Sequence, residues 1–259
     1  MQHIPRKRFG QNFLIDPQIV ADIIHVVHSG RDDVMVEIGP GLGALTRPLL
    51  QSLEHLHVVE IDRDIVERLR AEFSEKKLTI HEGDALEFDF SSLGENLRVV
   101  GNLPYNISTP LLFHLSRFAG NIRDMHFMLQ KEVVARMVAK PSTPDYGRLS
   151  VMLKCRFEME QLFIVLPESF RPPPKVQSAV VRMIPLKEPL IEASREKLFA
   201  EVVSAAFSQR RKTLRNTLRK YLKPEDYLKL GIDPNLRAEN LSVSQFVTIA
   251  EYLDAVKSE

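Results

Sequence analysis

Apolar residues along the chain fall into two alternating patterns. Short, nearly unbroken runs at 34–38 (VMVEI), 56–61 (LHVVEI), 78–80, 97–100 and 125–129 have the length and branched content of buried strands. Between them, 44–53, 63–73, 109–118 and 131–138 repeat apolar residues every three or four positions, and Ile65, Val66 and Leu69 share one face of the second of these. Strand and helix alternating at this spacing require right-handed crossovers, which predicts an α/β fold built on a parallel, doubly wound sheet.

After position 138 the pattern changes. Positions 150–157 fit helix and strand equally, while 162–165 and 178–184 read as strands with FRPPPK at 170–175 and no helix between them. Strands joined in that way predict an antiparallel edge on the same sheet. Positions 185–189 read as a linker, and 195–222, 225–230 and 243–256 are helical in pattern. The predicted organisation is an α/β domain over 1–186 followed by a small all-helical domain over 187–259.

The 259 residues, 44% hydrophobic and 27% charged, exclude disordered and fibrous classes and suffice to bury a core without staples. The single cysteine, Cys155, excludes an intramolecular disulfide and a multi-cysteine metal centre. His25 with His28, and His55 with His57, lack further ligands, so no metal is expected. The charged N-terminal segment is not followed by an apolar run, and no stretch approaches the ~18 apolar residues of a membrane span. These features predict a cytoplasmic protein without membrane attachment, and nothing demands more than a monomer.

A formal net charge of +1 conceals a local field. Between positions 202 and 224 there is no acid, yet Arg210, Arg211, Lys212, Arg215, Arg219, Lys220 and Lys223 fall there. On the predicted helix, with Leu214 and Leu218 as its apolar spacing, these cations would repel one another, which favours a polyanionic partner over a merely solvated face. Arg6, Lys7 and Arg8 form a second basic knot that reads equally as an RNA contact or a solvated terminus.

Candidate chemistry gathers at the ends of the predicted strands. EIGPGLGA at 37–44 lies between strand and helix, where Gly39, Gly41 and Gly43 allow a tight turn and let a ligand approach bare backbone. No Lys-Ser/Thr pair follows, which excludes a Walker loop. Glu60 ends the second strand, 21 positions after Gly39, where a carboxylate can accept both ribose hydroxyls. Asp84 ends the third strand and is placed to accept an adenine amine, although alone it reads as a turn residue. Together these outline an adenosine-containing ligand, with nicotinamide dinucleotide and S-adenosylmethionine both open. Asn102-Leu103-Pro104-Tyr105 separates the two: the Asn102 amide oxygen and the Leu103 carbonyl are acceptors for one amino group, and Tyr105 offers a flat face, a set that suits an exocyclic amine on a planar heterocycle.

FGQNFL at 9–14, EIGPG at 37–41, NLPY at 102–105, FMLQKE at 127–132, FRPPPKV at 170–176, RRKTLRN at 210–216 and RAEN at 237–240 occur in this order. The chain thereby resembles the ribosomal RNA adenine N6-dimethyltransferases from about Arg8 to its end. That resemblance implies a Rossmann-like class I S-adenosylmethionine-dependent methyltransferase sheet with a helical C-terminal domain, acting on 16S rRNA of the small ribosomal subunit. Asn12 and Leu14 would close over the cofactor, Gly39 would contact its methionine part, Glu60 its ribose, Asp84 its adenine amine, and Asn102 the region of the transferred methyl. Asn102, Leu103, Tyr105 and Phe170 would hold the target adenine, the two rings clamping it. Arg210, Arg211, Lys212, Arg215, Arg219 and Lys220 would bind RNA. Rival readings are an Erm-type enzyme of large-subunit RNA, a DNA adenine methyltransferase, a non-catalytic assembly or transcription factor on the same fold, and a nicotinamide-dependent oxidoreductase.

Overall fold

The computed structural model describes residues 11–258. The basic knot Arg6, Lys7 and Arg8, and the first two residues of FGQNFL, lie outside the described residues. In chain order the elements are β1 (Phe13–Leu14), α1 (Pro17–Val27), β2 (Met35–Ile38), α2 (Thr46–Ser52), β3 (Leu56–Glu60), α3 (Arg63–Glu72), β4 (Leu78–Glu82), β5 (Leu97–Asn102), α4 (Ser108–Ser116), β6 (Ile122–Gln130), α5 (Lys131–Val138), α6 (Arg148–Lys154), β7 (Phe157–Val165), β8 (Phe170–Arg171) and β9 (Ser178–Pro185), then α7 (Glu196–Ala206), α8 (Leu214–Thr217), α9 (Pro224–Leu230) and α10 (Val243–Ser258).

Seven strands form one sheet in the order β4-β3-β2-β5-β6-β9-β7. The first five pair in parallel, and β9 runs antiparallel to β6. As expected, β7 and β9 lie at one edge of the same sheet, with β9 between β6 and the outermost β7. The chain leaves β2 toward β3 and β4, then returns to β5 on the other side. This reversal opens a crevice at the carboxyl ends of β2, β3 and β5. All four residues of β2 are buried, as are Val58, Val59, Val99 and Val100, so the apolar runs of the sequence are strands covered on both faces.

At the other end of the sheet, Arg98 of β5 is buried and fully committed. Its guanidinium donates to Asp124 at 3.1 Å, to Asp33 at 2.7 Å and to the carbonyls of Val27 (2.6 Å) and His28 (3.1 Å), which ties α1 to the sheet. The ambiguous stretch at 150–157 resolves into both states, as the last residues of α6 and the first of β7.

Chain contacts divide the molecule into two compact units, Met1–Val134 with Glu160–Pro185, and Ala135–Met159 with Leu186–Glu259. The sequence reading put 135–159 with the α/β domain. In the structure Tyr146, Val151 and Cys155 share a buried apolar cluster with Phe199, Leu214, Leu218 and Phe246. Tyr146 also donates to the Leu241 carbonyl at 2.9 Å.

The expected long helix over 195–222 is corrected. α7 stops at Ala206, where the Ser208 hydroxyl and N–H both turn back to the Ala205 carbonyl (2.6 and 3.2 Å). Thr213 is extended and bridges Arg237, and the N–H groups of Leu214 and Arg215 go to the carbonyls of Leu236 and Pro234 (2.8 and 3.0 Å). Leu214, Leu218 and Leu222 are buried, so their apolar spacing reports one turn plus a loop held on the core. Arg210, Arg211 and Lys212 lie in turns, and only Arg215 of the six candidates sits in a helix, the four-residue α8. No helix among the described residues is long and apolar enough to cross a membrane.

Candidate active site

The turn after β2 is built from its glycines. Gly39, Gly41 and Gly43 all have positive φ (65°, 53° and 82°), a region that L side chains rarely enter. The Gly39 N–H donates to the Val59 carbonyl at 3.0 Å, which brings the turn against the end of β3. A β-carbon on Gly41 would lie 3.1 Å from the Phe13 ring, so the glycine also admits the N-terminal strap.

The residues expected to close over a cofactor form that strap, but the pairing that holds it was not foreseen. Phe13 and Leu14 pair antiparallel with Arg171 and Phe170, and the Ser169 hydroxyl donates to Asp16 (3.0 Å), the cap of α1. Gln11 donates to Asp62 at 3.0 Å, and the Asn102 side-chain amide donates to the Asn12 carbonyl at 2.9 Å. Strap, glycine turn and strand ends enclose a cavity of about 260 Å³. Among its lining residues are the candidates Asn12, Leu14, Gly39, Glu60, Asp84, Asn102, Leu103 and Tyr105. Phe170 is not among them: only 2% exposed, it packs in the apolar core that contains Leu14, Val165 and Val180. In this conformation it presents no face to a base.

Each polar group has a preset orientation. Glu60 is 6% exposed and accepts from the N–H groups of Ile61 and Asp62, both at 2.9 Å. Burial pushes its pKa up while those N–H groups, and that of Gly41, pull it down; burial prevails. Asp84 accepts from the Leu86 N–H at 2.9 Å. The Leu103 N–H is used by the Met128 carbonyl at 3.1 Å. One Asn102 side-chain N–H goes to the Asn12 carbonyl, and the amide oxygen is the acceptor of that side chain. The Tyr105 hydroxyl is 2.7 Å from that of Ser178, and burial raises its pKa. These dispositions suit a ligand with a ribose, an adenine and an exposed amine.

Among the lining residues that received no role from the sequence, Ile61 and Glu37 stand out. Ile61, 46% exposed, adds apolar surface beside Glu60. Glu37, the one charged residue in an otherwise apolar strand, is 2% exposed and accepts from the Thr46 hydroxyl at 2.6 Å. An acid inside VMVEI was the available signal.

The six basic candidates are exposed and do not act alike. Lys212, Arg219 and Lys220 line a polar hollow with Ser208, Gln209, Asn216 and Tyr221. Arg210 is engaged within its own unit, donating to the Pro144 carbonyl and lying 3.6 Å from Glu239. His55 meets His57 edge-on at 5.0 Å, His57 stacks on His81 at 5.4 Å, and His81 continues to Phe88.

Residues 2–255 match the family model described as ribosomal RNA adenine dimethylase. The chain is 82% identical over 258 residues to the ribosomal RNA small subunit methyltransferase A of Nitrosospira multiformis, with 100% of both chains covered. It is 66% identical over 249 residues to the protein of that name from Nitrosomonas europaea, with 96% of each covered. Among solved structures it is similar to a dimethyladenosine transferase from Plasmodium falciparum, with a TM-score of 0.80, 25% identity and coverage of 94% of this chain and 98% of that one. It is also similar to the 23S rRNA methyltransferase ErmE, with a TM-score of 0.72, 28% identity and coverage of 94% and 100%.

Proposed function

Because this chain belongs to the ribosomal RNA adenine dimethylase family, we propose that it uses S-adenosylmethionine to dimethylate N6 of two adjacent adenines in the 3′-terminal hairpin of 16S rRNA, in the cytoplasm during small-subunit assembly. The observation that carries this reading is the Asn102 side chain. Its nitrogen donates to the Asn12 carbonyl of the strap, and Asn102 and Leu103 both line the cavity, where the amide oxygen and the Leu103 carbonyl would accept from one amino group.

Adenine N6 is a poor nucleophile because its lone pair is delocalised into the ring. Accepting both N6–H bonds, Asn102 Oδ1 and the Leu103 carbonyl would draw the nitrogen toward tetrahedral geometry and free that pair. S-adenosylmethionine, when bound, supplies an electrophilic methyl group. The residues present fit it: the glycine turn leaves bare backbone at Gly39, where a β-carbon would meet nothing within 4 Å, and Glu60 and Asp84 line the same cavity, where their carboxylates would accept from a ribose and an adenine amine. The protein's contribution is then positioning and preorganised polar groups. Tyr105, already on the cavity wall, would stack on a base taken from its neighbours. Phe170 would have to leave its buried position to serve as the second face of that clamp.

The basic hollow of Lys212, Arg219 and Lys220 supports phosphate binding in the helical unit. The small-subunit reading is favoured over the large-subunit one because relatives named for the small subunit share 82% and 66% of residues, against 28% for ErmE. The test is incubation of small subunits from cells lacking the modification with the protein and radiolabelled S-adenosylmethionine, then nuclease digestion and mass spectrometry. N6,N6-dimethyladenosine in the 3′-terminal hairpin is expected. No label there, with label in a second incubation on large-subunit RNA, would replace the substrate.

A further inference from the structure

Besides Glu60 and Asp84 the cavity holds a third acid, one for which the reaction has no use. Glu37 sits on β2 within the fully buried part of the sheet, yet lines the same space as Glu60. From α2 it meets the Thr46 hydroxyl, its hydrogen-bond donor, and the more distant Arg47. The Arg47 guanidinium is already divided between Glu72 (2.6 and 2.8 Å) and the carbonyls of Leu42 and Gly43 (2.8 and 3.0 Å). From β3 it faces the like charge of Glu60. From β5 the residue opposite is Val100, followed by Gly101, and neither carries charge. Glu37 has no ion-pair partner among the described residues. Burial above all, with Glu60 adding, pushes its pKa up to about 7. Burial raises the Glu60 pKa as well, but there backbone N–H groups donate to the carboxylate and oppose the rise.

A buried carboxylate without a cation is costly, and such a group lowers the cost by keeping a proton. S-adenosylmethionine brings positive charge in its sulfonium and ammonium groups. We propose that Glu37 is the proton-linked counter-charge of this cavity: its carboxyl is protonated when the cavity is empty, and entry of the cationic cofactor expels that proton to the buffer, leaving the carboxylate to face the ligand. Glu37 is thus a positioning and specificity residue for a cationic nucleoside. The inference rests on the reading that this cavity binds S-adenosylmethionine.

The experiment is isothermal titration calorimetry of the full chain with S-adenosylmethionine near pH 7, in two buffers of different ionisation enthalpy. The slope of heat against buffer enthalpy counts protons. A group that is half protonated when free and ionised when bound releases about half a proton at that pH, and affinity rises about fivefold from about pH 6 to about pH 7. Glu37→Gln should bind with near-zero release and a flat profile. Thr46→Val removes the donor to the carboxylate, so Glu37 holds its proton more fully and release should move toward one proton. Wild-type binding without proton release would overturn the proposal while leaving the cofactor reading intact. Release that persists in Glu37→Gln, or that fails to rise in Thr46→Val, would also overturn it. No binding heat in any buffer would remove the cofactor reading and this inference together.

Discussion

Gly101 couples the packing of the sheet to the chemistry of the site. It occupies β5 one residue before Asn102, and a β-carbon there would lie 2.6 Å from the carbonyl oxygen of Ile38 and 3.0 Å from the Leu103 side chain. Ordinary contact begins at 3.4 Å, so Gly101→Ala requires β2 and β5 to part by about 0.8 Å against a backbone atom that cannot rotate away. The two strands are paired from Met35–Arg98 to Glu37–Val100, so the opening concentrates at their carboxyl ends, where Gly39 and Asn102 stand. Overpacking of this kind costs about 1–3 kcal/mol, and at roughly 2–4 °C per kcal/mol the melting temperature should fall by several degrees. A displacement approaching 1 Å at a positioning group costs on the order of 10²-fold in rate. Thermal melts and initial rates of methyl transfer to unmodified small subunits measure both effects. Gly120→Ala serves as the control, since its β-carbon meets nothing within 4 Å. A folded Gly101→Ala protein that turns over within about threefold of the parent would refute the claim that this strand spacing sets the position of Asn102.

Asn102→Ala should lower turnover by roughly 10²–10³ while leaving cofactor affinity nearly unchanged, as single-turnover rates and a binding isotherm will report. Glu60→Gln keeps the shape but weakens the ribose acceptor, and cofactor affinity should fall by about tenfold in a binding isotherm. Replacing Lys212, Arg219 and Lys220 with Ser should flatten the salt dependence of RNA binding by about 0.7–0.9 in the log–log slope per lost phosphate contact, whereas Arg210→Ser should leave the slope in place. The His57 pKa is lowered to about 4, by burial first and then by its neighbours His55 and His81. The unfolded chain therefore takes up that proton first: stability is intact above about pH 6.5 and declines as pH falls toward about 4. Melting temperatures of wild type and His57→Gln over this window should diverge, with the Gln variant flatter.

Much of this architecture is legible in the chain because the parallel strands are covered on both faces and leave unbroken apolar runs. The glycine turn, Glu60, Asp84 and NLPY were legible as a constellation for a related reason: each follows directly from a strand end, and the doubly wound topology brings those ends to one crevice. What escaped depends on pairings distant in sequence. The two-residue β1 and β8 carry no pattern of their own; they exist because Leu14 meets Phe170. That same pairing takes Phe170, an exposed clamp in the sequence reading, into the core. α1 did carry a signal, with Asp16-Pro17 as a helix start and Ile19, Val20, Ile23 and Ile24 at helical spacing, and it was not read.

The basic segment shows the opposite error. Leu214, Leu218 and Leu222 have true helical spacing, yet the backbone N–H groups around Leu214 find their carbonyls at Leu236 and Pro234, some twenty residues downstream, and local periodicity has no access to that competition. The consequence is chemical as well as geometric. A continuous helix would have presented its cations as a single stripe. The loop instead gathers Lys212, Arg219 and Lys220 around one hollow and turns Arg210 back onto Pro144 and Glu239. Glu37 belongs to the same class of fact. An acid in an apolar strand is visible in one dimension, but Thr46 on α2 and Glu60 on the neighbouring strand become its surroundings only once the sheet is assembled, and those surroundings decide whether the acid keeps its proton.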